Sequence, residues 1–163
     1  MATLPILRWP DPRLAQRSGA AVLGPDLDRL AKDMLDTMYH ARGRGLAAPQ
    51  VGEAIRLFVM DATWKDGWAE PRVFVNPDLL WMSDEREEGL EGCLSIPGIG
   101  VSVRRSTAIR LRWTDPSGAA HEEELRGFAA ICAQHEIDHL DGIVMLDRLT
   151  PAARAAALTE YSA

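Results

Sequence analysis

The segment Gln134-His135-Glu136-Ile137-Asp138-His139 places the tightest constraint on this chain. Two imidazoles four residues apart share one face only on a helix, where each residue turns by ~100°, and there both rings can grip one metal ion. Glu136 directly follows the first of them, so its carboxylate can reach a metal-activated water as a general base without being a ligand. Phe128, Ile131, Cys132, His135 and His139 fall on a single stripe, which predicts a helix over residues 127–140 that Gly142 stops. Packed neighbours on that stripe would fix the ring rotamers that a metal site needs. The chemistry indicated is metal-assisted hydrolysis.

The rest of the chain has to enclose this helix. With 163 residues, 47% of them hydrophobic, it is long enough for one core and short for two, so a single domain over residues 1–163 is expected. Leu27, Leu30, Ala31, Met34, Leu35 and Met38 follow helical spacing, predicting an amphipathic helix that ends near Gly43. Branched and aromatic stretches at residues 56–61, 72–76, 101–103 and 108–113 read as strands. Asp115-Pro116-Ser117-Gly118 reads as a turn joining the last of these to residues 121–125 in an antiparallel hairpin. A short terminal helix is expected after Thr150-Pro151, where Thr caps and Pro suits the first turn. The expected class is α+β, with antiparallel or mixed strands wrapped around the histidine-bearing helix.

Charge and composition narrow the function. The net charge is −6 and the Lys and Arg residues are scattered, which disfavours nucleic-acid binding. No run of about 18 apolar residues occurs, and Met1-Ala2-Thr3-Leu4-Pro5 lacks a charged stretch followed by an apolar one, so a cytoplasmic chain without membrane contact is expected. Cys93 and Cys132 cannot build a disulfide framework. Two histidines leave a catalytic site one ligand short. In metzincin proteases a third His comes six residues after the second, but Met145 stands there, which leaves a zinc endopeptidase without its ligand. Cys93, in Glu91-Gly92-Cys93-Leu94-Ser95, is the other candidate, flanked by a glycine that would let backbone come close. Cys132 reads as packing, His40 and His121 as surface, and Trp64 and Trp68 as loop cover without assigned chemistry. Gly43-Arg44-Gly45-Leu46-Ala47-Ala48 meets a relaxed dinucleotide fingerprint, but a helix precedes it and Pro49 breaks the helix that would have to open there, so NAD binding is not expected.

Three segments together resemble the bacterial peptide deformylases: Gly43-Arg44-Gly45-Leu46-Ala47-Ala48-Pro49-Gln50, Glu91-Gly92-Cys93-Leu94-Ser95 and the histidine motif, in that order along nearly the whole chain. The resemblance implies removal of the N-formyl group from the initiator methionine of new polypeptides, releasing formate. It implies that Cys93, His135 and His139 hold one divalent ion, Fe(2+) in the cell, with Zn(2+), Ni(2+) or Co(2+) able to replace it. Glu136 would handle the proton, and the Gln50 side chain and the Leu94 backbone N–H would stabilise the oxyanion. Gly43, Arg44, Gly45, Glu91, Gly92, Phe128 and Ile131 would line the N-formylmethionyl peptide. Glu91 could instead serve a structural ion pair, and Arg105 could pair with Asp138 beneath the helix. Two departures stand out. Arg44 replaces the usual Ile or Val and is expected to lay its stem on the apolar wall with its head in water, the alternative being recruitment of an acidic substrate group. Gly98-Ile99-Gly100 stands where many relatives carry an Arg. These leave open a deformylase-like protein with an altered substrate or a binding role. A transient ribosome contact fits the resemblance, although the end after Pro151 offers little for a basic docking helix.

Overall fold

A computed structural model of the chain describes residues 2–162. Helix α1, Pro25–His40, opens with Pro25 and carries Asp26 and Asp28 in its first turn, where carboxylates suit the positive end of the helix dipole. It buries Leu27, Ala31, Met34 and Met38, spaced as one helical face requires. It ends three residues before Gly43.

Seven strands come after it: β1 Gly45–Ala47, β2 Leu57–Met60, β3 Arg72–Met82, β4 Arg86–Cys93, β5 Ile96–Ser106, β6 Ala108–Thr114 and β7 Ala120–Arg126. All ladders are antiparallel; five strands form one sheet in the order β1-β2-β3-β6-β7 and β4 pairs with β5 as a second. The expected hairpin is β6–β7, in register from Ala108 with Arg126 to Thr114 with Ala120. Strand β4 has no counterpart among the expected strands. Its residues up to Leu90 are exposed, so no alternation of apolar and polar positions marks it.

Helix α2, Gly127–Leu140, has the bounds the motif predicts. It lies between the sheets, and nearly every residue from Ala130 onward is buried, not one stripe alone. Strand β2 shows why the large sheet is apolar on both faces. Leu57 and Val59 join the α1 core with Met34 and Met38, whereas Phe58 and Met60 join the α2 core with Ala133 and Ile137. Gln134, His135 and Asp138, which α2 buries, are matched to partners, whereas Glu136 Oε1 and His139 Nδ1 have none among the described residues. Gln134 acts as a surrogate strand, donating to Ser106 O at 2.9 Å and accepting from Ser106 N at 3.2 Å. Helix α3, Pro151–Ser162, closes the far side, where Ala157 packs with Val101, Val103, Met145 and Leu146. No helix among the described residues is long and apolar enough to cross a membrane.

Candidate metal centre

Period-two geometry on the small sheet supplies half the site. In β4 the inward positions are Glu91 and Cys93; in β5 the inward series Ile99, Val101, Val103 continues to Arg105 and carries a guanidinium indoors. The other half comes from α2. The His135 and His139 rings stand 5.0 Å apart at 72°, and Cys93 Sγ lies 3.4 Å from His139 Nε2. The donor atoms of Cys93, His135 and His139 all fall within 4.8 Å of one another, and all three residues are buried.

Neighbours aim these donors. His135 Nδ1 donates to Glu91 Oε1 at 2.9 Å, leaving Nε2 to face the cluster. Arg105 grips Glu91 at 2.6 and 3.0 Å and reaches Asp138 at 2.9 Å, while Arg148 holds Asp138 from outside at 2.6 Å. Glu91 therefore both lines the site and serves an ion pair. Burial alone would raise its carboxyl, but the hydrogen bonds from His135 and Arg105 prevail and bring it down to about 2.

The electrostatics fit a cation. Burial, with His135 adding to it, holds the His139 ring neutral, as ligation requires. Burial opposes charge on His135 as well, yet Glu136, Cys93 and Glu91 outweigh it and push that pKa well up. Groups capable of negative charge thus surround the donor cluster. Burial pushes the Glu136 carboxyl up to about 7, and its Oε1 is buried with no partner among the described residues. An acidic oxygen left unpaired beside soft and borderline donors suits a metal that brings its own water.

The glycine motif closes over the cluster. A Cβ at Gly45 would sit 2.6 Å from Glu136 Oε2 and 2.8 Å from Cys132 Sγ, so only glycine passes there. A Cβ at Gly92, the glycine beside Cys93, would meet no described atom within 4 Å. Gln50 Oε1 accepts from Ala47 N at 2.9 Å, which turns Nε2 toward Ser95 Oγ at 3.1 Å and Cys93 Sγ at 3.7 Å. Leu94 occupies the two-residue turn between β4 and β5, and among the described residues no acceptor takes its N–H. A cavity of about 1350 Å³ opens here, lined by Gly43, Arg44, Glu91, Phe128, Ile131 and Cys132 among others.

A family model described as polypeptide deformylase matches residues 3–155. The chain belongs to the polypeptide deformylase family. A peptide deformylase from Zymomonas mobilis is 46% identical over 155 residues, 92% of this chain and 88% of its own. The crystal structure of a peptide deformylase from Legionella pneumophila superposes with a TM-score of 0.92 at 38% identity, covering 99% of this chain and 94% of that one. A Synechococcus elongatus deformylase in complex with actinonin gives 0.93 at 35% identity, over 98% and 88%. The deformylase is a metal-dependent hydrolase that removes the N-formyl group from newly made polypeptides.

The structure departs from the sequence reading at two side chains of this deformylase. Arg44 extends only partly to water: its guanidinium lies 4.6 Å over the Phe128 ring and 3.9 Å from Asp66, with 27% of the side chain exposed. Trp64 is more than loop cover, since its indole N–H donates to Gly43 O at 2.9 Å while its ring meets Tyr39 edge-on. Asp61 organises that loop by accepting from Tyr39 Oη, Thr63 N, Trp64 N and Glu70 N. Neither contact has a local signal, because each joins residues about twenty or more apart. Ser95 is a further partner of Gln50 that the sequence reading misses, although it lies two residues from Cys93 within one motif.

Proposed function

We propose that Cys93, His135 and His139 hold the divalent ion of this deformylase, that Glu136 is its proton-transfer group, and that residues 1–163 act as one catalytic unit. The observation that carries the proposal is the convergence of those three buried donors beside an unpartnered Glu136 oxygen. When bound, the ion supplies a Lewis acid that brings the pKa of a water toward neutrality. The chain's own residues do the rest. Strands β1 and β4 each have one edge without a strand partner among the described residues, so an extended peptide can lie between them with backbone hydrogen bonds on both sides. The methionine side chain enters the apolar wall of Phe128, Ile131 and Cys132. Glu136 accepts a proton from the attacking water and delivers it to the departing nitrogen, so the C–N bond breaks to formate and a free amine. Gln50 Nε2 and the Leu94 N–H donate to the oxygen on which negative charge builds.

Removing one such donor typically costs about 3 kcal/mol of transition-state stabilisation. A Gln50→Leu enzyme is therefore expected to keep its metal and lose activity roughly a hundredfold. Metal content and kcat measured on the same sample check this; parental turnover would remove Gln50 from the oxyanion role.

The native ion in this proposal is Fe(2+). An iron–thiolate site at Cys93 is exposed to oxygen damage, so enzyme purified without air is expected to release formate from formyl-Met-Ala-Ser and to lose that activity on aeration. Full, air-stable activity with zinc and no gain from iron would overturn the choice of metal. Cleavage inside a longer peptide, with no formate, would overturn the function. A transient ribosome contact is the proposed source of formylated chains; α3 offers it one cation, Arg154, already paired with Asp147 at 2.8 Å.

A further inference from the structure

The cavity wall nearest β1 carries charge that hydrolysis does not use. Arg44 rests on Phe128, at 4.6 Å from the ring centre. Lys65 lies 5.6 Å over the Trp64 ring, and Trp64 is itself pinned to Gly43 O. Arg42 lines the same wall. Among the described residues neither Lys65 nor Arg42 has an ion-pair partner, and Asp66, at 3.9 Å from Arg44, is 59% exposed and so a weak neutraliser. The crowding is felt: burial, then Arg44 and Arg42, lower the Lys65 pKa. In a chain of net charge −6, three cations gathered at one mouth are a local inversion.

We propose that Arg44 and Lys65 form a cationic subsite that selects formylmethionyl peptides with a carboxylate side chain at the third residue. The proposal rests on the deformylase reading of the cavity. In an extended peptide, side chains two residues apart share a face and stand roughly 7 Å apart along the strand. With methionine against Phe128 and Ile131, the third side chain emerges on the same face, at the outer side of Phe128 where the Arg44 guanidinium lies. Stacking on rings holds both cations without using up their hydrogen-bond donors, so they remain free to meet a carboxylate. Glu85 and Glu87, at the start of β4, also line the cavity.

C-terminally amidated formyl-Met-Ala-Glu-Ala, formyl-Met-Ala-Gln-Ala and formyl-Met-Ala-Lys-Ala test this, the amide removing the terminal carboxylate from the comparison. Attraction in one peptide and repulsion in another at an exposed site predict a kcat/KM about tenfold higher for Glu than for Lys, carried by KM and shrinking in high salt. In the Arg44→Met, Lys65→Gln double variant the ratio is expected to fall within about twofold. Because the ratio compares peptides on one protein sample, a general loss of activity cancels from it. Formate released from all three peptides at equal kcat/KM, or a ratio that survives in the double variant, overturns the subsite alone. No formate even from the Gln peptide overturns the deformylase reading and the subsite with it.

Discussion

Replacing Glu136 with Gln should lower kcat by about three orders of magnitude while leaving metal content unchanged. The carboxylate has no structural employment that would complicate the result. It is 3% exposed, its Oε1 meets no donor among the described residues, and burial pushes its pKa up to about 7. An amide of the same shape removes the proton acceptor and also removes the cost of keeping an unpaired acid indoors. The variant should therefore melt no lower than the parent, the pattern expected where a residue is kept for chemistry at the expense of stability. Kinetics with formyl-Met-Ala-Ser, metal analysis and a melting curve on one preparation make the test. Activity within tenfold of the parent at full metal content would show that another group carries the proton.

Arg105→Met should produce a large loss of stability. Arg105 is 5% exposed and bridges Glu91 to Asp138. Without it buried Glu91 loses its guanidinium and Asp138 keeps only the outer Arg148, and breaking a buried pair by deleting one partner costs about 3–5 kcal/mol. For a chain of this size that corresponds to a fall in Tm of about 10 °C. The effect should reach the metal, because Glu91 orients His135; losing such a supporting bond typically weakens metal affinity roughly 10- to 100-fold. Arg105→Lys should rescue little, since an ammonium cannot make the paired contacts of a guanidinium. Arg148→Ala, which removes the half-exposed outer partner of Asp138, should cost about 1 kcal/mol or less. Equal melting temperatures for the Arg105 and Arg148 variants would show that the buried bridge is dispensable.

How far the sequence discloses this site depends on the range of the interactions. Helix α2 is legible to its end residues, because its apolar and ligand positions share one short-range period and Gly142 stops it. The β6–β7 hairpin is legible from turn chemistry at Asp115-Pro116-Ser117-Gly118. Strand β4 is not, since Arg86, Glu87, Glu88 and Leu90 are all exposed and only Glu91 and Cys93 turn inward. The split into a five-stranded and a two-stranded sheet rests on pairings between distant strands, such as β3 with β6, that no local pattern encodes. At the site, convergence of Cys93 on the two histidines can be anticipated from donor chemistry and the resemblance. The seat of Arg44 on Phe128 cannot, because a ring far along the chain offers the cation a surface that burial rules alone do not foresee.

The two-residue turn between β4 and β5 has a consequence for how such an enzyme can change. The thiol of Cys93, the free amide of Leu94 and the hydroxyl of Ser95 that receives Gln50 ride on three consecutive positions. Lengthening or shortening that loop by one residue would displace the proposed ligand, the proposed oxyanion donor and an orienting contact in a single event. Substitution in the surrounding walls carries no such linkage, whereas a change of length at this corner moves all three groups together.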